Sequence, residues 1–311
     1  MKILIIDDIH PDFLKAFAHK KSVELVYLPK ITKDELPKYL ADAQGLVVRS
    51  KVFINADFLE LAPNLCFVAR AGAGVDNIDE AATAARNILV LNAPEGNRNA
   101  VAEHTVAMLL MLLNKLHIAN EQVRQGLWLR EANRGEELAG KTVAIVGFGN
   151  NGRAFAQKLS GFGVRVLAYD KYKTGFGSEI ALEVDMNQIF EQADVLSLHI
   201  PLTYETQNLV NDAYIQRFKK PFYLINVARG QIANLAHIAD AVENMKILGA
   251  CLDVLPNENL GSYSADEQRT FERLITSNKV VFSPHIAGWT HQSYQKIAEV
   301  LAEKILKIIE P

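Results

Sequence analysis

An α/β chain with two doubly wound parallel-sheet domains is what the sequence predicts, and three observations predict it. Short β-rich runs alternate with helix-patterned stretches along most of the chain, and strands separated by helices pair in parallel. At 311 residues, 49% of them hydrophobic, the chain exceeds what one core usually serves and can fill two. A glycine-rich turn that follows a strand and opens a helix occurs after residue 141, and no such fingerprint follows the first strand. The two sheets are therefore expected to do different work.

The first sheet is expected from Ile3–Ile6, Val23–Tyr27, Leu46–Val48, Phe67–Ala69 and Ile88–Leu91, with helical stretches near 11–20, 33–42, 55–62 and 77–86. Asn92-Ala93-Pro94-Glu95-Gly96-Asn97 punctuates the chain, and a long helix is predicted from about Asn99 to Leu116. That helix is apolar on nearly every face (Val101, Val106, Met108, Leu109, Leu110, Met111, Leu112, Leu113), so it must be covered all round. A homodimer partner on the remaining face is the expectation. After a connector at 126–140, strands are expected near 142–146, 164–169, 194–198, 222–227, 247–251 and 279–282, enough for a complete doubly wound sheet. The last helix, about Gln292 to Ile309, is expected to cross back to the first domain. The expected domains are 1–97 plus 289–311 and 98–288.

The stretch Lys141 to Asp170 reads as strand, glycine turn, helix, strand, acid. Gly147 permits the tight turn, Gly149 lets a pyrophosphate approach the backbone, and Gly152 lets the helix pack closely on its strand. The helix N-terminus then faces the phosphates. Asp170, 18 residues after Gly152, can accept hydrogen bonds from a ribose diol and would repel a 2′-phosphate, which favours NAD over NADP. On this reading 98–288 is a Rossmann NAD-binding domain and 1–97 plus 289–311 a flavodoxin-like substrate domain.

The formal net charge of −3 gives no basic face for nucleic acid. The most apolar segment, Val106 to Leu113, is far shorter than the ~18 residues a membrane span needs, and the N-terminus lacks a signal peptide. Cys66 and Cys251 lie in apolar stretches and read as reduced core thiols of a cytoplasmic protein. No metal ion is called for; a small molecule is the expected partner.

Three polar residues follow apolar runs at the ends of predicted strands, where parallel sheets place ligands: Arg229 after Phe222–Val227, Glu258 after Cys251–Asn257, and His285 after Val280–Pro284. Together they supply a cation for a carboxylate, an orienting acid and a proton acceptor, the parts needed to oxidise a 2-hydroxy acid. His199, at another strand end, is the rival base, and Asp253 a rival acid.

The order of Gly147-x-Gly149-x-x-Gly152, Asp170, His199-Ile200-Pro201-Leu202-Thr203, Val227-Ala228-Arg229-Gly230, Leu252-Asp253-Val254, Glu258 and Ser283-Pro284-His285-Ile286-Ala287-Gly288 resembles the D-isomer-specific 2-hydroxyacid dehydrogenases over almost the whole chain. The resemblance implies an NAD-dependent dimer in which Arg229, Glu258 and His285 are catalytic. It implies that Asn150, Asn151, Asp170, His199, Ile200, Pro201, Val227, Ala228 and Gly288 line the cofactor, with Asp253 on its nicotinamide side. Within the family, Val48-Arg49-Ser50 and Arg70-Ala71-Gly72-Ala73-Gly74-Val75-Asp76-Asn77 are most similar to the phosphoglycerate dehydrogenases of serine biosynthesis. That similarity implies 3-phosphoglycerate as substrate, bound by Arg49, Ser50, Arg70, Ala73, Gly74 and Val75, and makes Arg130 a candidate to reach a neighbouring subunit's substrate. A glyoxylate or hydroxypyruvate reductase using the same trio is the alternative, and an NAD-sensing corepressor-like scaffold is the alternative of another class. Asn259 after Glu258, Gln231-Ile232-Ala233-Asn234 after Gly230, and Asn150 depart from the family's commoner residues, yet none removes a reacting group.

Overall fold

The structure, a computed structural model, describes residues 1–309. It divides into two compact units, Met1–Arg98 with the segment from Trp289 onward, and Asn99–Gly288.

The first unit holds β1 (Lys2–Ile5), β2 (Glu24–Tyr27), β3 (Gly45–Val48), β4 (Phe67–Arg70) and β5 (Leu89–Asn92), all parallel, in the order β2-β1-β3-β4-β5. Side chains alternate between faces along each strand, so a parallel sheet covered on both sides buries two sets. Ile3, Ile5, Val47 and Phe67 point to one face, where Phe13 and the C-terminal helix (His291–Ile309) contribute Ala298, Leu301 and Ile305. Leu4, Leu46, Val48 and Val68 point to the other, against Leu40 and Leu59.

The second unit holds β6 (Thr142–Val146), β7 (Arg165–Tyr169), β8 (Leu182–Glu183), β9 (Val195–Leu198), β10 (Phe222–Asn226), β11 (Ile247–Leu252) and β12 (Val280–Phe282), in the order β12-β11-β10-β9-β6-β7-β8. Strand order reverses between β6 and β9, and ligands of such sheets bind beyond the strand C-termini at that point. Polar caps set the helix starts: Asn211, Asn234 and Ser264 each accept a first-turn N–H, a contribution of about 1 kcal/mol apiece.

Four details differ from the sequence expectation. β8 is a seventh strand of two residues, too short to show a period of two; it pairs with β7, and the Glu183 carboxylate gathers the N–H groups of Gly175, Phe176 and Gly177. The long helix spans Pro94–Leu113 and not 99–116, since Pro94 suits the first helical turn. A separate helix, Leu116–Arg124, follows after Lys115 takes a left-handed backbone at φ 52°. Cys66 is exposed, so only Cys251 is a core thiol. Among the described residues no helix is long and apolar enough to cross a membrane.

Candidate active site

The glycine turn after β6 is shaped by close approaches. Gly147 has φ +96°, and a Cβ on it would stand 2.5 Å from the His199 carbonyl oxygen. A Cβ on Gly152 would stand 2.0 Å from the Gly147 carbonyl oxygen. A Cβ on Gly149 would meet nothing nearer than Lys173 Nζ at 3.9 Å. Two of these glycines are therefore required by packing, while the third leaves bare backbone open at the start of the helix Asn150–Leu159. Beside it lies a cavity of about 480 Å³ whose lining includes Gly147, Gly149, Asp170, His199, Ile200 and Pro201. The Asp170 carboxylate accepts N–H bonds from Phe148 (2.9 Å) and Tyr172 (3.0 Å). Those two bonds fix its direction and leave lone pairs over for hydroxyl donors. An open phosphate approach at a helix N-terminus next to a fixed acid fits a dinucleotide with an unmodified ribose. Asn151 Oδ1 is buried without a protein partner.

His199 loses its claim as a base here. Its Nε2 pairs with Ser197 Oγ at 2.9 Å, its Nδ1 is buried, and burial pushes its pKa down to about 3. The ring therefore stays neutral at ordinary pH, whereas a working base must take up a proton near neutrality.

The ends of β10, β11 and β12 carry the other predicted groups. Asn226, Leu252 and Phe282 are aligned across these strands, so the segments that follow leave the sheet side by side. Asn226, buried, shapes the first: its Oδ1 accepts from Ala228 N (3.1 Å) and its Nδ2 donates to the Arg229 carbonyl (3.0 Å). A Cβ on Gly230 would fall 2.0 Å from the Leu255 carbonyl carbon, so the turn bearing Arg229 is packed on the segment leading to Glu258. Val227 and Ala228 are buried just before it. Replacing Asn226 with leucine is expected to leave a buried N–H and C=O unpaired, costing about 1–3 kcal/mol, readable as a lower midpoint in urea unfolding.

Glu258 and His285, 27 residues apart in sequence, meet: Nδ1 lies 2.8 Å from Oε1 and 3.1 Å from Oε2. Both line a cavity of about 370 Å³ with Leu260, Phe271 and Phe282. His285 has a left-handed backbone at φ 55°, and its N–H donates to the Asp253 carbonyl at 2.7 Å. The Asp253 side chain, 1% exposed, is committed to the same loop. It accepts from Ser283 Oγ (2.6 Å), Ile286 N (2.9 Å) and Ala287 N (3.0 Å). Asp253 thus anchors the loop that bears His285. The sequence assigns no role of their own to His104, Ser283 and Asn226, which the structure brings into play: His104 Nε2 lies 2.9 Å from Ser283 Oγ and 3.5 Å from Asp253 Oδ1. Gly288 ends this unit.

In the first unit the loops after β1, β3 and β4 leave the sheet side by side, because Ile5 pairs with Val47 and Val48 with Arg70 near the strand ends. Asp7 Oδ2 accepts from Arg49 N at 2.6 Å, fixing the loop that holds Arg49 and the exposed Ser50. The Arg49 guanidinium stacks 4.3 Å over the Trp289 ring and 5.6 Å from the Tyr294 ring. Arg70 donates from Nε to the Arg49 carbonyl (3.3 Å) and lies against Gly72. The Ala73 carbonyl is held by Asn92 Nδ2 at 2.6 Å, Val75 packs on the core, and Gly74 is half-buried. Arg130 is exposed.

Residues 106–287 match the family described as D-isomer specific 2-hydroxyacid dehydrogenase, NAD binding domain. The chain is 35% identical to a hydroxypyruvate reductase of Thermotoga maritima over 309 residues, 98% of this chain and 97% of that protein. It is 31% identical to a D-3-phosphoglycerate dehydrogenase of Methanocaldococcus jannaschii over 99% of this chain, but spans only 57% of that protein's length. Among solved structures, it is similar to a D-lactate dehydrogenase of Aquifex aeolicus complexed with NAD and lactic acid, with a TM-score of 0.83 and 25% identity, covering 100% of this chain and 96% of that one. With this match to more than half of its length, and with the glycine turn and strand-end groups in place, the chain belongs to the NAD-dependent D-isomer specific 2-hydroxyacid dehydrogenases.

Proposed function

We propose that the chain transfers a hydride between NAD and C2 of 3-phosphoglycerate, with His285, Glu258 and Arg229 as the acting groups. The observation that carries this reading is the Glu258–His285 pair. With a carboxylate on Nδ1, the neutral ring keeps its proton there and Nε2 keeps a free lone pair. NAD, when bound, supplies the hydride acceptor. Nε2 takes the proton from the C2 hydroxyl in that direction and returns it in the reverse. Glu258 stabilises the imidazolium as it forms. Arg229, with its planar fork, holds the substrate carboxylate and polarises the C2 oxygen.

The phosphorylated substrate is supported by Arg49, which makes no hydrogen bond or salt bridge through its guanidinium among the described residues. Its face is taken by two rings, and its N–H edge suits an oxyanion. A second reading, reduction of hydroxypyruvate, has its own observation: Asp8 carries a carboxylate beside Arg49. The Tyr294 and Tyr27 hydroxyls and the charge of Arg49 hold that carboxyl below its usual range. A phosphate dianion would be repelled by it. The similarity to a hydroxypyruvate reductase, of which the chain spans 97%, favours this reading too.

NADH oxidation measured with phosphohydroxypyruvate, hydroxypyruvate and glyoxylate separates the two. For a phosphate on Arg49, Arg49→Leu lowers kcat/KM for phosphohydroxypyruvate about 100-fold, as expected for two charge-assisted hydrogen bonds of about 1.5 kcal/mol each, and changes glyoxylate turnover little. A wild-type preference for hydroxypyruvate, with no selective effect of Arg49→Leu, replaces the first reading by the second.

A further inference from the structure

The cavity beside Gly149 holds a charge arrangement that the reaction does not use. Lys171 and Lys173 follow directly on Asp170, so two ammonium groups flank the acid expected to take the ribose diol. Alone, they would offer a site to a 2′-phosphate, against Asp170. Glu205, arriving from the segment after β9, changes that balance: its Oε1 lies 2.7 Å from Lys171 Nζ, and its Oε2 accepts the Tyr172 hydroxyl. All of these side chains line the same cavity. Glu205 is therefore fixed by two donors from the segment just after β7, and its charge is spent on the lysine beside Asp170.

We propose that Glu205 is a cofactor-specificity residue, which by pairing with Lys171 withholds that ammonium from a 2′-phosphate and leaves the negative charge of Asp170 unopposed by it. The inference rests on the reading that this cavity receives the adenosine half of the cofactor. Glu205 acts as a second exclusion of NADP, from a different strand end than Asp170. The hydrogen bond to Glu205 raises the Lys171 pKa, as an ion pair does. The pair is half-exposed, so solvent screens it, and the effect on selectivity is severalfold rather than hundredfold.

The test is direct binding, free of turnover. Dissociation constants for NADH and NADPH are measured by isothermal calorimetry on wild type, Glu205→Gln, Glu205→Gln with Lys171→Ala, and Gly149→Asp. In Glu205→Gln the preference for NADH over NADPH is expected to shrink about three- to fivefold, because the freed ammonium meets the phosphate. In the double variant the preference returns to the wild-type value or above. An unchanged preference in Glu205→Gln overturns the inference, and so does a gain that survives loss of Lys171. Gly149→Asp tests the underlying reading: its backbone angles and the open space allow the side chain, which puts a carboxylate where pyrophosphate would lie. Loss of NADH binding there supports the cavity reading, so that an unaltered Glu205→Gln counts against Glu205 alone. Retained NADH binding in Gly149→Asp overturns both.

Discussion

Replacement of His285 by asparagine is expected to lower kcat about 10²–10⁴-fold, the usual worth of a placed proton acceptor, while the NADH dissociation constant stays within about threefold. Asparagine is the informative substitute because His285 has φ 55°, a backbone that asparagine tolerates and most residues resist. A loss of rate then reports the missing imidazole and not a collapsed loop. Glu258→Gln should cost less: glutamine can still accept from Nδ1 but cannot stabilise the imidazolium with a charge. Steady-state kinetics with calorimetric NADH binding checks both. Turnover of His285→Asn within tenfold of wild type would sink the assignment of the base. Wild type without turnover on any 2-keto acid would favour the scaffold reading.

The second large effect concerns Asp253. Burial raises its carboxyl pKa, but the hydrogen bonds from His104, Ser283, Ala287 and Ile286 outweigh burial and hold the pKa below the usual value. A carboxyl with a depressed folded-state pKa stabilises above its unfolded value, near pH 4, and that stability is lost as pH falls through the folded value. Asp253→Asn puts an amide donor against N–H and O–H donors, which should cost about 1–3 kcal/mol and lower Tm by roughly 4–8 °C near neutrality. The Tm gap between wild type and variant should hold from pH 8 to 5, begin to narrow near pH 4, and close as pH falls through the lowered folded value. A gap that does not narrow at all as pH falls below about 4 would show that shape, and not charge, is what Asp253 contributes. The same variant should lower kcat, because the loop 283–287 that orients His285 loses its anchor.

What could be read without coordinates was local. The run Thr142–Val146, the glycines 147, 149 and 152 and the acid at 170 report backbone requirements that operate within a few residues, so period and spacing expose them. The apolar runs that became β10, β11 and β12 exposed Arg229, Glu258 and His285 in the same way, as polar residues just past a buried strand. β8 stayed hidden because two residues carry no periodicity, and what keeps it is the β7 edge and the Glu183 carboxylate. The start at Pro94 was misplaced because a proline at a loop boundary also reads as punctuation.

Sequence alone determined which strands form, β8 excepted, that they pair in parallel, and which residue types stand at their C-terminal ends; hydrophobic period and backbone sterics act locally and leave a mark on neighbouring letters. Tertiary structure decided how those residues are used. His104 lies 179 positions from Ser283, Glu205 meets Lys171 from another strand end, and Arg49 rests on Trp289. Such pairings depend on which strand ends lie side by side and on which polar groups burial leaves in need of a partner, and neither quantity exists until the sheets have formed.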